Sequence, residues 1–322
     1  MNRVKLFTAA ALALTLAAGL CQAQAYPVKP VRIVVPFPAG GAVDLLGRLL
    51  APKLAESLGQ PFVVENRSGA AGNLGTEQVA RAAPDGHTIL LNTNGHAIGP
   101  AIYRKLPYDP VNDFIPVSQM VTSNLVLVAY PQLPAASLAD FIALAKSKPG
   151  GLNYGSTGVG NALHLTMELL KLSAGIDVLA IPYQGDAPLN AALMSGQVEV
   201  AVVPFSTASP LIRSGKLRAL AVASARRMAL QPDIPTVAET LPGFESTTWV
   251  GLFVPAKTPR EIVDAIHRAT VKGLAAADVR ERLASISSEP VGSTPEQFKA
   301  KVDADVAKFT RIVKEARIPL QE

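Results

Sequence analysis

The chain has 322 residues, 49% of them hydrophobic and 17% charged, with a single cysteine and a formal net charge of +5. Such a composition describes a well-filled globule with no acidic or basic tail, and a weak positive excess without a basic run argues against nucleic-acid binding. Stability has to come from burial, because a lone cysteine supports neither a disulfide framework nor a zinc thiolate site.

Arg3 and Lys5 precede an apolar stretch from Leu6 to Leu20, and Ala23-Gln24-Ala25 follows it. This is the pattern of a secretory signal peptide over residues 1–25, cleaved after Ala25, with an apolar run too short for the ~20 residues that span a bilayer. Lipidation at Cys21 is the competing expectation, but Leu20 stands where a lipoprotein signal needs a small residue. Cleavage would leave 297 residues with no thiol and a net charge of +3, and on a prior of ~100–200 residues per domain that length implies two domains.

After the signal, apolar runs at Val31 to Phe37, Pro61 to Glu65 and Thr88 to Asn92 alternate with helical patterns. In the first helix Leu46, Leu50, Leu54 and Leu58 recur every four residues beside Leu45 and Leu49, so one stripe is expected to face a sheet. The extended run Phe114 to Tyr130 is interrupted at Thr122-Ser123-Asn124. After Pro149-Gly150 the βα alternation begins again, with Gly175, Gly196 and Gly215 expected as helix C-caps. A second extended run, Thr247 to Pro255, leads back, followed by helices starting at Thr258-Pro259-Arg260-Glu261 and Thr294-Pro295-Glu296-Gln297. The expected architecture is α/β and two-lobed: residues 26–125 with 247–322 form one lobe, 126–246 the other, and two hinge strands join them. In open α/β sheets a ligand lies beyond the carboxyl ends of the strands, so the cleft should be lined by strand-to-helix loops from both lobes.

The loop from Pro36 to Asp44 carries Phe37, Ala39, Gly40 and Gly41 into a helix N-terminus, and the loop from Tyr154 to Asn161 carries Ser156 and Thr157 into another. Free N–H groups at a helix start, aligned with its dipole, make an anion seat, although tight strand-to-helix turns need glycine in any case. Asp44 has two readings, a first-turn carboxylate favoured by the dipole or an acceptor for the far end of a ligand. Gly69, Gly72 and Gly75 follow a GxxGxxG spacing, which is not the dinucleotide fingerprint, and no Walker loop, nucleophile elbow or zinc-protease spacing is present. His87, His96, His164 and His267 lack partners at metal-ligand spacing, so neither metal nor cofactor is expected. His96, with Asn94 after the third strand, is a ligand-contact candidate, whereas His164 caps, packs or contacts ligand. Trp249 is either core or an apolar wall of the cleft.

Eight stretches together resemble the Bug family of periplasmic solute receptors, the binding component of tripartite tricarboxylate transporters. They are PFPAGGAVD at 36–44, VENRSGAAGNLG at 64–75, APDGHTILL at 83–91, LPYDP at 106–110, KPGGLNYGSTGVGNALHL at 148–165, IPYQG at 181–185, GKLRALAV at 215–222 and PDIPTVAE at 232–239. The resemblance implies a type II periplasmic-binding-protein fold that clasps a small carboxylate (dicarboxylate, aromatic acid, nicotinate-like compound or amino acid). It places ligand contact at Phe37, Ala39, Gly41, Asp44, Ser156, Thr157 and Asn161, with His96, His164, Tyr183 and Trp249 as weaker carry-overs. Many relatives have Asp or Asn after the Val198 to Val203 strand; here the sequence is Pro204-Phe205-Ser206, leaving Ser206 as the polar candidate and Phe205 as a source of apolar character. The implied partners are the ligand and the membrane subunits of the transporter, with the receptor itself a monomer. A sensory receptor on the same scaffold is the main rival. A periplasmic enzyme is another, but the sequence shows no nucleophile, base and orienter constellation.

Overall fold

The computed structural model describes residues 26–183, 185–229 and 231–322; the expected signal peptide and Cys21 lie outside the described residues. The first unit runs β1 (Val31–Val35), α1 (Ala42–Leu58), β2 (Phe62–Asn66), a 3-10 turn (Ala70–Gly72), α2 (Asn73–Ala80), β3 (Thr88–Thr93), α3 (Gly95–Ile102) and β4 (Phe114–Ser123). The extended run then breaks at Asn124 and continues as β5 (Leu125–Ala129) in a different sheet. The second unit comprises α4 (Leu138–Ser147), β6 (Asn153–Ser156), α5 (Ala162–Ala174), β7 (Leu179–Pro182), α6 (Asp186–Ser195), β8 (Val200–Pro204), α7 (Phe205–Arg213) and β9 (Arg218–Val222). β10 (Thr248–Pro255) returns to the first sheet, followed by α8 (Arg260–Ala275), α9 (Ala277–Ser285), β11 (Ser288–Pro290) and α10 (Pro295–Glu315).

The first sheet has the order β11-β4-β10-β3-β1-β2 and the second β7-β6-β8-β5-β9. Apart from β11 the two orders are the same: second strand, first, third, an antiparallel incomer, then the fourth. The incomer in each sheet is the strand that arrives from the other unit, β10 against β3 and β4, and β5 against β8 and β9. Two α/β lobes joined by two crossings therefore follow from the pairing itself. In each lobe the chain departs to opposite sides of its first strand, which opens a crevice beyond the carboxyl ends of β1 and β3, and of β6 and β8.

The leucine stripe of α1 packs as its period requires: Leu46, Leu50 and Leu54 are buried, each stabilising by roughly 1.5–3 kcal/mol, while Leu45 turns out to solvent. Gly47 lets this helix approach the sheet, since a Cβ there would lie 3.2 Å from Leu91 Cδ2. Three apolar clusters result. One lies under α1, α8 and α9, one under α6 and α7, and the largest joins the inner faces of both lobes through α3, α4, α5 and α10. Of α10's apolar face Phe298, Val302, Phe309, Ile312 and Val313 are buried, and the helix packs on both α3 and α5, so it belongs to the junction between lobes and not to one lobe alone. Thr294 and Gln297 form the expected capping box, whereas α8 is capped by Pro259 and the Thr258 hydroxyl donates to Pro255 O instead.

Candidate ligand-binding site

A cavity of about 280 Å³ opens between the lobes. The first lobe contributes Phe37 after β1, Gly72 and Asn73 at the start of α2, Asn92 and Thr93 at the end of β3, Asn94 and Gly95 at the start of α3, and Ile98 and Ile102 along it. Val159, Gly160, Asn161 and Ala162, which lead into α5, form the opposite wall. Three helix N-termini thus converge on one space. Each brings the positive end of a helix dipole, although Asn73, Gly95 and His164 N–H are already paired locally, and none of the lining residues bears a formal charge. An anion entering here would meet neutral donors and no carboxylate to repel it. Tyr103 and Tyr108 give the rest of the wall a flat, largely apolar surface.

The side-chain amide of Asn94 sharpens the point. The residue is 3% exposed, and its Nδ2 has no hydrogen-bond partner among the described residues. A buried donor left unpaired costs about 1–3 kcal/mol, a cost that an acceptor brought by a ligand would remove. Its backbone carbonyl is already used by Ala97 and Ile98 N–H.

The GxxGxxG segment, dismissed as a nucleotide motif, builds this wall. Gly72 and Gly75 let the turn lie on β1's exit, where a Cβ at 75 would stand 2.7 Å from Arg67 O and 3.0 Å from Pro36 Cβ. Ala70 and Ala71 are both held at positive φ, 46° and 54°, which is unusual for residues with a Cβ.

Of the sequence candidates, the cavity brings together Phe37, Asn94 and Asn161. Ala39, Gly40 and Gly41 lie exposed in the β1–α1 loop outside this wall. Asp44, by contrast, is 1% exposed and committed to its own loop: Oδ2 accepts from Gly40 N–H at 2.8 Å and Arg48 Nε at 3.0 Å, and Oδ1 from Asn66 Nδ2 at 3.0 Å. The Arg48 hydrogen bond above all, helped by the Gly40 and Asn66 donors, holds the carboxyl at about 2 against the opposing effect of burial. Asn66 also donates to Phe37 O, so Asp44 and Asn66 together brace the turn that presents Phe37.

In the second lobe Asn161 caps α5 by accepting from His164 N–H, and its Nδ2 donates to Thr157 Oγ1. Ser156 Oγ donates to Gly158 O. His164 is buried, and its Nδ1 accepts from Gly160 N–H at 3.2 Å, so it shapes the glycine loop from behind; burial chiefly lowers its proton affinity. Tyr183 is half-buried beside the core of the second lobe, with its N–H on Ser156 O. Ser206 is exposed on α7, and Phe205 is buried in the core of that lobe, so it lends no apolar character to the cavity.

Of the two readings of Trp249 the structure takes the core one, and the expectation for His96 is corrected. Trp249 is 1% exposed, donates to Asp305 Oδ2 at 2.8 Å and packs edge-on against Phe298, which makes it core. His96 is 1% exposed in a box of Tyr108, Phe114 and Phe253, with Nε2 on Pro110 O at 2.8 Å. Burial pulls its pKa to about 4, and it faces away from the cavity that its neighbours Asn94 and Gly95 line.

Two lobes of like topology with a donor-lined, charge-free cavity between them define a solute-binding protein. Residues 46–318 match the model of the "Tripartite tricarboxylate transporter family receptor", and the chain belongs to that family. BugT of Bordetella pertussis is 35% identical over 302 residues, 93% of each chain. A protein of R. palustris solved with adipate is 36% identical over 92% of this chain and 100% of its own, with a TM-score of 0.77. MatC from Rhodopseudomonas palustris, solved with bound malate, is 35% identical over 89% of this chain and 100% of its own, with a TM-score of 0.72. The family is one of transporter receptors, and the solved periplasmic binding protein BugD, 35% identical over 92% of this chain with a TM-score of 0.73, agrees with a binding protein and not an enzyme. Among the described residues no helix is long and apolar enough to cross a membrane.

Proposed function

We propose that this receptor is secreted to the periplasm with cleavage after Ala25, closes residues 26–125 with 247–322 against residues 126–246 around a small carboxylate, and delivers it as a monomer to the membrane subunits of a tripartite tricarboxylate transporter. The observation that carries the reading is the convergence of three helix N-termini and the unpaired Asn94 amide on a cavity without charged side chains. The adipate-bound and malate-bound relatives support a carboxylate as guest. One carboxylate end sits against Asn94 and the first turns of α2, α3 and α5, while Phe37 and Tyr108 flank the carbon skeleton. The loops bearing Ala39 to Gly41 and Ser156 to Thr157 close over it.

A thermal-shift screen of mono-, di- and tricarboxylates, aromatic acids and amino acids tests this. A ligand specific to the folded state adds RT ln(1 + [L]/Kd), about 2.7 kcal/mol at a hundredfold excess. Asn94→Ala should weaken the best ligand about tenfold or more, the worth of one charge-assisted hydrogen bond, and leave the unliganded melting temperature within about 2 °C. A panel with no stabilising acid, or a ligand indifferent to Asn94→Ala, would defeat the assignment.

A further inference from the structure

Gln321 lies far in sequence from every strand-to-helix loop, yet it stands in the wall of the cavity. Its backbone is fixed to the end of α3: Gln321 N–H donates to Ile102 O at 2.8 Å, and Arg104 N–H donates to Gln321 O at 2.9 Å, in a parallel bridge with Tyr103. Glu322 adds an ion pair with Arg104 Nε at 3.1 Å. From this anchor on the first lobe the side chain crosses to the second, where Nε2 donates to Val159 O at 3.1 Å.

Val159 is the exposed centre of the second lobe's loop, between Gly158 at φ 146° and Gly160 at φ 80°. Both glycines occupy conformations that a side chain rarely adopts, so the loop's own backbone restrains it weakly. The same loop touches the first lobe once more at Gly160, where a Cβ would come 2.7 Å from Ile102 Cδ1. Both of these contacts of the loop therefore rest on one support, the end of α3, whose other end carries Asn94 into the cavity.

We propose that Gln321 is a positioning residue, a strap that holds the Val159–Asn161 wall against the first lobe before any ligand arrives. The inference rests on the receptor reading for its effect on affinity, but the strap itself is tested without any ligand. Pre-ordering the wall spares an incoming ligand part of the cost of immobilising it, and does so equally for every ligand the cavity admits.

The test uses the full chain and the variants Gln321→Ala and Gln321→Glu; the second keeps the length but turns an oxygen toward the Val159 carbonyl. Hydrogen exchange without ligand should be about three- to tenfold faster across residues 157–163 in both variants and unchanged across α10, as expected for loss of one exposed hydrogen bond. With adipate and malate as probes, Kd for each should rise by a common factor of about three to ten in Gln321→Ala; Gln321→Glu, which adds a repelling carboxylate to the wall, is read by exchange alone. Unchanged exchange over 157–163 overturns the strap whether or not either acid binds. A change in Kd for one acid alone also overturns it, because that would make Gln321 a direct ligand contact. If neither acid binds the wild type, the receptor reading loses those two ligands while the exchange result still decides the strap.

Discussion

Asp44→Asn separates a bracing carboxylate from a ligand-reading one. The substitution keeps one oxygen for the three donors Gly40 N–H, Arg48 Nε and Asn66 Nδ2 but removes the charge. In the folded protein the Asp44 carboxyl titrates at about 2 instead of its ordinary 3.8. By linkage that difference corresponds to about 2 kcal/mol at neutral pH, and the half-exposed Arg48 partner lowers it toward about 1 kcal/mol. For a chain of this size the melting temperature at pH 7 should fall by roughly 2–6 °C. Because the folded pKa is depressed, the contribution is present above about pH 4 and vanishes as pH falls through about 2. Urea or thermal denaturation at pH 7, 5 and 3 should therefore show the gap between wild type and variant intact at the first two and narrowed at the third. Ligand affinities should weaken together, with their order preserved, since the loop that presents Phe37 loosens for all of them. A variant with wild-type stability that loses one ligand class selectively would refute the bracing role and restore Asp44 as a direct contact.

Trp249→Phe should cost about 2–4 kcal/mol in urea denaturation, from a lost bond to the buried Asp305 carboxylate and a smaller ring, yet leave ligand Kd within about twofold. A large loss of affinity without loss of stability would return Trp249 to the cleft. His96 should make the protein less stable in acid: burial depresses its pKa from 6.5 to about 4, so the unfolded chain takes up the proton first and stability drops by about 3 kcal/mol between those values. His96→Phe should flatten that part of the stability-versus-pH curve, and an unaltered curve would show that other groups set it.

The architecture was legible because both lobes write the same grammar: apolar strands, a four-residue leucine period in α1, and helix-capping glycines at Gly175, Gly196 and Gly215, all found at positive φ. The interruption at Asn124 likewise marks the crossing between sheets. The site was only partly legible. α3 escaped notice because Gly95, Gly99 and Pro100 hide its period, although it carries Asn94 and Ile98 to the cavity. Asn73 and Tyr108 come from segments whose motifs were visible but whose side-chain directions were not. Gln321 gives no local signal at all, since its role arises only from a bridge to Tyr103. For Asp44 and Trp249 the sequence left a structural and a functional reading side by side, and His96 was read as a ligand contact. Polar or aromatic groups near a cleft attract a functional reading, yet Asp44 is spent within its own loop and the other two in the core.

The central claim is that neutral donors at converging helix ends hold a negatively charged carboxylate. Calorimetric titration with the tightest acid of the screen and with its neutral primary amide, matched in shape, tests this directly. The account predicts that the acid binds at least about a hundredfold more tightly, because only a charged group is drawn by the helix dipoles and makes a charge-assisted bond with the Asn94 amide. Equal affinity for the amide would contradict it.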